Sequence, residues 1–408
     1  MNGAPFSYLT GLECTNCGLS HDADAPNNVC RVCGKVLYAR YDLASARRTL
    51  DRDCFRDRPA DLWRYHELLP IRQPDNVITL GEGVTPLLRM PRLGESLGLK
   101  NLWMKDESLN PTGSFKARGM AVAVSRAREL GLKRLAAPSA GNAGAALATY
   151  AARAGLEAWI FMPADTPRVP LIECRLAGAR AFVLDGLIND AGRIVRSRSS
   201  WFDVSTLREP YRVEGKKTMG YELAEQFAWS LPDAIIYPTG GGTGLVGMVK
   251  AFDEMETLGW IGSKRPRMYS VQSSGCAPIV RAFEAGRRDA PIWENARTIA
   301  SGLRVPAAIG DYLMLDAIRR TDGVALAVDD DEIMAATDLV AVREGAWLSP
   351  EGAATICAAQ RLREDGTLKA HETVVLFNTG GGMVYPDLQS ATLPRVAIDG
   401  RDVPECDP

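Results

Sequence analysis

Four glycine-bearing turns carry the residue types that carbonyl and phosphate chemistry requires. The first is Asn110-Pro111-Thr112-Gly113-Ser114-Phe115-Lys116-Ala117-Arg118-Gly119. Pro111 and Gly113 hold off helix, and Ser114 can cap the helix that follows. Lys116 then falls in a first helical turn, where the positive end of the helix dipole disfavours an ammonium. A lysine with a depressed pKa is the nucleophile of Schiff-base chemistry. A solvent-facing lysine at a polar helix start is the bland alternative, and the decapeptide alone leaves the two level. The second turn, Pro138 to Ala146, offers small residues for close backbone approach and the amide of Asn142. The third is Thr239-Gly240-Gly241-Gly242-Thr243-Gly244. Consecutive N–H groups opening a helix cradle an anion. Gly242, Gly244 and Gly247 also match the dinucleotide fingerprint. However, the next strand ends in Gln272-Ser273, with no acid to hold a ribose, so a simple phosphate fits better. The fourth turn, Asn378 to Gly382, puts the Thr379 hydroxyl after a strand. Each turn alone reads equally well as a tight loop; together they describe one site.

A second constellation lies near the start. Cys14-x2-Cys17 and Cys30-x2-Cys33 are each followed by glycine, Gly18 and Gly34. This spacing predicts a tetrahedral four-thiolate zinc ribbon, closed and therefore structural. His21 lies between the pairs but is not needed as a ligand. Cys54, Cys174, Cys276, Cys357 and Cys406 show no partner pattern and read as ordinary thiols. Tyr221, Trp229 and Trp347 read as core.

The elements that must position these turns follow from periodicity. Apolar β-rich runs at 102–104, 134–137, 158–162, 181–184, 234–237, 268–271, 324–328 and 373–377 alternate with helical patterns. Those patterns cover 117–129, 143–154, 169–177, 188–198, 218–230, 245–257, 311–320, 330–344 and 352–363. Alternation over this length predicts an α/β fold with open, mostly parallel sheets. Ligands in such sheets bind beyond the carboxyl ends of the strands.

The 408 residues suit two or three domains. Forty-eight Lys and Arg against 50 Asp and Glu leave a net charge of −2, which gives no bulk attraction for nucleic acid or membrane. No apolar run reaches a membrane span, and no basic stretch precedes an apolar one at the start. The cytoplasm is the expected compartment. No Gly-x4-Gly-Lys-Ser/Thr loop supports nucleotide hydrolysis.

Taken in order, these motifs resemble the fold type II pyridoxal-phosphate enzymes, and within them the threonine synthases. The resemblance rests on the cysteine ribbon with Tyr41-Asp42-Leu43, on Leu62-Trp63-Arg64-Tyr65, on Leu80 to Leu87 and on Asn110 to Gly119. It continues through Tyr211 to Thr218, Pro350 to Ala354 and Asn378 to Gly380. It implies two open, mostly parallel sheet domains with the cofactor between them, preceded by a zinc-ribbon-like module at 1–45. The larger domain is expected from 46–100 and 205–408, the smaller from 101–204. By motif, Lys116 resembles the Schiff-base lysine and Phe115 would line the cofactor. Asn142 would bond its 3′-oxygen, Gly240, Gly241, Gly242, Thr243 and Gly244 its phosphate, and Thr379 its pyridine nitrogen. Ser139, Ala140 and Gly141 would hold the substrate carboxylate, and Arg212 the substrate phosphate. The implied reaction turns O-phosphohomoserine and water into threonine and phosphate in a homodimer.

Three positions differ from the family's usual pattern. Ala117 follows the lysine where Asp is common, Glu209 stands where Asn is common before Pro210, and Met383-Val384 replaces Leu-Lys. All three are expected in the distal, substrate half. Two other readings stay open. One is a serine/threonine dehydratase-type elimination, or a related replacement, on a different and non-phosphorylated amino acid. The other, more distant, is a non-catalytic zinc-ribbon adaptor.

Overall fold

The computed structural model describes residues 5–389 and Leu393. Cys406 lies outside the described residues. Three sheets organise the chain. The strands Leu9–Cys14, Ser20–His21 and Leu37–Tyr41 form a small antiparallel sheet. It carries both cysteine pairs, whose regular strands the sequence reading left unassigned.

The larger sheet has six strands, in the order Ala325–Val328, Arg267–Ser273, Ala234–Pro238, Thr373–Asn378, Asn101–Asp106 and Leu87–Arg89. All pair in parallel except the short Leu87–Arg89 edge, which runs antiparallel. Its central strands are almost wholly buried, as expected of a parallel sheet covered on both faces. The smaller sheet is all parallel, in the order Arg180–Leu184, Glu157–Pro163, Arg134–Pro138 and Phe202–Asp203. The Asn101–Asp106 strand therefore belongs to the larger sheet, and the boundary expected at residue 101 falls before it rather than between the sheets. Its pairing with Thr373–Asn378 decides this, a long-range choice that no local pattern records.

The expected strands and helices form, mostly within one or two residues of the expected bounds. The largest shift is the helix expected at 218–230, which runs Arg212–Gln226. Its start is fixed by the Glu209 carboxylate, which accepts the N–H groups of Tyr211 (3.0 Å) and Arg212 (2.7 Å). It stops where Ala228 and Trp229 turn to positive φ. Trp347, expected in the core, is 45% exposed in the loop before the Pro350–Glu364 helix. Among the described residues no helix is long and apolar enough to cross a membrane.

The small sheet docks on the helix Lys116–Glu129 and its neighbours. Arg126 donates to Ala23 O (2.8 Å), Tyr211 Oη donates to the same carbonyl (3.0 Å), and Asn28 donates to Asp203 O (2.6 Å). The ribbon thus braces the elements that carry the first turn. The two larger sheets are joined across their facing loops. Arg304 forks onto Asp165 (2.5 and 2.6 Å), and Ser301 Oγ donates to Ala140 O (3.2 Å).

Candidate active site

The four turns meet at one cleft, about 770 Å³ of empty space between the two larger sheets. Phe115 and Lys116, Ser139 to Asn142, Gly240 to Gly244 and Thr379 all line it. Every turn follows the carboxyl end of a strand, where an open parallel sheet presents its ligand sites. The first and last turns are sewn together: Phe115 N–H donates to Thr379 O (3.1 Å) and Gly381 N–H to Gly113 O (3.0 Å).

Lys116 opens its helix, with Phe115 rather than Ser114 at the cap position. Ser114 Oγ is 3.4 Å from Lys116 N, too long to be a firm cap. The Lys116 amine lies 4.1 Å from the Phe115 ring centroid. Burial, and then the Arg212 charge, push it down to about 7. Half of such lysines carry a free electron pair near neutrality, which is what attack on an aldehyde requires.

The glycine turn is shaped for an anion. The N–H groups of Gly240, Gly241 and Gly242 find no acceptor among the described residues, and Thr243 begins a sixteen-residue helix. Side chains are excluded from the cradle by its own walls. A Cβ on Gly240 would fall 2.1 Å from Gly302 O, and one on Gly244 1.9 Å from the Tyr237 hydroxyl. Gly242 also needs its positive φ of 76°. At the second turn, the Asn142 amide oxygen is buried without a partner. The Thr379 hydroxyl, in the cleft wall, also makes no hydrogen bond among the described residues. A phosphate would accept from the free N–H groups, a ring oxygen from the Asn142 amide nitrogen, which also makes no hydrogen bond among the described residues, and a ring nitrogen would pair with the Thr379 hydroxyl, so the site fits pyridoxal phosphate.

Two expected roles change with the geometry. The Ser139 hydroxyl is committed to its own turn, accepting from Gly141 N (3.0 Å) and Gly144 N (2.7 Å). The Ala140 and Asn142 N–H groups stay free among the described residues for a carboxylate. Arg212 does not line the cleft. Its guanidinium is buried, donates to Val204 O (2.7 Å), and leaves Nε unpaired. An adjoining groove shares Pro138, Ile188, Thr206, Gly241 and Val305 with the cleft, and Arg193, Arg196 and Arg208 line it. Arg196 has no carboxylate partner among the described residues, and Arg208 has only Asp203 at 3.5 Å.

None of the three departing positions lines the cleft. Ala117 is buried and Met383 is 74% exposed. Glu209, pushed up to about 7 by burial, serves the helix start described above. Sequence reading missed Ser301, Gly302 and Glu351, which form the cleft's far wall. Glu351 accepts from Gly302 N (2.7 Å) and Tyr385 Oη (2.5 Å). The Pro350-Glu351-Gly352 motif signalled that wall, but the segment 301–303 has no motif. At the ribbon, the four cysteine sulfurs all lie within 4.8 Å of one another. His21 is occupied elsewhere, with Nδ1 3.0 Å from Leu19 O and Nε2 accepting Arg31 N–H (3.2 Å).

Comparison with known proteins agrees with this site. The sequence profile described as "Pyridoxal-phosphate dependent enzyme" matches residues 78–380. A threonine synthase of Methanocaldococcus jannaschii is 35% identical over 92% of this chain and 93% of its own length. One of Methanosarcina acetivorans is 36% identical over 90% and 91%. Among solved structures, an L-serine ammonia-lyase from Rhizomucor miehei superposes with a TM-score of 0.62 at 25% identity. It covers 73% of this chain and 93% of that one. A maize serine racemase, at 22% identity and TM-score 0.63 over 74% and 91%, shares the fold. The chain belongs to the pyridoxal-phosphate dependent enzyme family.

Proposed function

We propose that this member of the pyridoxal-phosphate dependent enzymes converts O-phosphohomoserine and water to threonine and phosphate. Lys116 would hold the cofactor covalently, with Phe115 beside it. Asn142 would bond the 3′-oxygen, the Gly240–Gly244 turn the phosphate and Thr379 the pyridine nitrogen. When bound, the cofactor withdraws electrons from the amino acid and makes its Cα and Cβ protons acidic. Thr379, a neutral hydroxyl, leaves the ring less electron-poor than a carboxylate would, which suits elimination and replacement. The Lys116 amine, near neutral at physiological pH, takes the Cα proton and serves the later proton transfers at Cβ and Cγ. The free N–H groups of Ala140 and Asn142, with Ser139 and Gly141 shaping the turn, hold the carboxylate.

The observation that carries the substrate assignment is the arginine-lined groove opening from the Lys116 cleft. It gives a phosphate-bearing side chain a cationic place to lie. Arg208 and Arg196 line it, and Arg212 joins them if its guanidinium leaves Val204 O. The relatives named threonine synthase match over nine-tenths of the chain. A second reading, simple α,β-elimination from serine or threonine, draws on a cleft lining that holds no arginine among the described residues. It also draws on the likeness to an L-serine ammonia-lyase. One assay separates them: the holoenzyme is given phosphohomoserine, threonine and serine, and products are identified. Threonine with equimolar phosphate supports the proposal; a 2-oxo acid from serine or threonine, with phosphohomoserine inert, replaces it.

We also propose that Cys14, Cys17, Cys30 and Cys33 hold a structural zinc, completing an N-terminal zinc ribbon. Four thiolates fill a tetrahedral shell and leave no open position, so no catalytic step is assigned to it. One zinc per purified chain is expected; a metal-free chain with an intact ribbon would refute it.

A further inference from the structure

Lys216 is a buried amine with no acid in ion-pair reach among the described residues. It sits on the Arg212–Gln226 helix with no exposed surface, and it does not line the cleft. Its ammonium donates to two main-chain carbonyls, Phe115 O (2.6 Å) and Lys116 O (3.1 Å). No carboxylate lies within ion-pair distance among the described residues. The charged groups facing it are Arg212 on its own helix, Lys116 and Arg118 on the facing helix, and Glu107. Glu107 is already taken by Arg118, at 2.6 and 2.8 Å, and by Thr85 and Asn110.

The helix crossing is cut to admit this side chain. A Cβ on Gly119 would stand 2.7 Å from Lys216 Nζ, and one on Gly215 would stand 2.0 Å from Arg118 O. Both lysine nitrogens lie near the Phe115 ring, at 4.1 Å for Lys116 and 4.7 Å for Lys216. A buried cation without an anion is costly, and an apolar or amide side chain would fill the space without that cost. What Lys216 does there concerns its neighbour: it grips the peptide carrying Lys116.

We propose that Lys216 is a positioning residue for Lys116, fixing the Phe115–Lys116 peptide through two carbonyls. The proposal rests on the assignment of Lys116 as the covalent lysine. Burial and the surrounding cations hold Lys216 itself well below the usual lysine range. Charged or neutral, the amine has the hydrogens to donate to both carbonyls, so the grip does not depend on its protonation.

The test is the rate at which the apo chain captures pyridoxal phosphate, followed by visible absorbance, in the original chain and in Lys216→Met, Lys216→Gln and Lys216→Arg. Met, which can donate to neither carbonyl, should slow capture by about tenfold or more, and Gln and Arg, which keep donors, should restore most of it. Capture at the original rate in a folded Met variant would overturn the proposal. Equal slowing in Met, Gln and Arg would overturn it too, because lost packing rather than lost donors would then be the cause. A wild-type chain whose cofactor is bound through another lysine would overturn the underlying assignment, and is read separately by peptide mapping.

Discussion

Two clusters of buried cations flank the same helix, Lys116–Glu129, and they are built on opposite terms. On one side Arg118 and Lys105 meet Glu107 and Glu222. Arg118 forks onto both carboxylates, and Lys105 donates to Glu222 (3.0 Å), Thr85 O (2.7 Å) and Gln226 (3.0 Å). Two positive and two negative charges cancel, and the Arg118 guanidinium is held above its usual range by the two acids. On the other side are Lys116, Lys216 and Arg212. Their acidic neighbours are Glu209, itself pushed toward protonation, Asp203, which faces Arg208, Glu107, already taken by Arg118, and Glu351, engaged with Gly302 and Tyr385. All three cations are depressed, chiefly by burial. The balanced cluster holds elements together; the unbalanced one keeps an amine reactive and waits for anions. Burial alone does not mark the site, since both clusters are buried. Missing counter-charge does.

That contrast can be broken most forcefully at Lys116. Lys116→Ala should abolish the yellow colour of the purified chain. Turnover should fall by about 10³-fold or more, the scale of losing a positioned proton-transfer group together with the covalent link. A coloured, active variant would move the chemistry elsewhere. Next in size is the balanced side: Glu107→Gln leaves Arg118 half-paired in the interior. It should lower the free energy of unfolding by about 3–5 kcal/mol, read by denaturant melts. The same measurement on apo Lys216→Gln should show a change within about 1 kcal/mol, because lost hydrogen bonds and relieved burial offset each other.

A pH series sharpens the contrast further. Lys116 is depressed to about 7, so its amine is mostly protonated below that pH and free above it. Capture of pyridoxal phosphate by the apo chain should therefore accelerate as pH rises to about 7 and then level off. A rise continuing toward the ordinary lysine range would show that the depression is absent. The smallest expected effect is at the cleft wall. Thr379→Val removes one hydrogen bond and should weaken cofactor retention by about 1 kcal/mol, measured by equilibrium dialysis.

The two halves of the site were not equally legible in the sequence. The cofactor half was, because each of its turns has a local chemical signature: a lysine at a helix start, glycines before a helix, a hydroxyl after a strand. The structure brings all four turns to one cleft. The distal half was not, because its residues are fixed by tertiary contacts. Arg212 reads as a phosphate ligand yet turns to Val204 O. Arg196 falls in the helix expected at 188–198 with no role read for it, yet it lines the groove beside the cleft. Glu209 reads as a departure in the substrate half yet supplies a helix start with its acceptors. The same limit governed the fold. Strand and helix positions followed from periodicity, but the Asn101–Asp106 strand was placed with the smaller domain because its partner lies some 270 residues away. Lys216, two residues before an expected helix, carried no signal at all. Only its burial without an acid, seen in three dimensions, distinguishes it from Lys217, which pairs with Glu214 (2.7 Å) and Glu254 (2.9 Å).

Under the proposed function Lys116, and no neighbouring lysine, is the cofactor's covalent partner, because the unbalanced cluster keeps its amine free. The direct measurement is borohydride reduction of the cofactor-loaded protein, followed by proteolysis and mass spectrometry. A pyridoxyl-phosphate adduct on Lys116 is predicted, with Lys216 and Lys217 unmodified. An adduct on Lys216 or Lys217, or none on any lysine of a loaded chain, would contradict it.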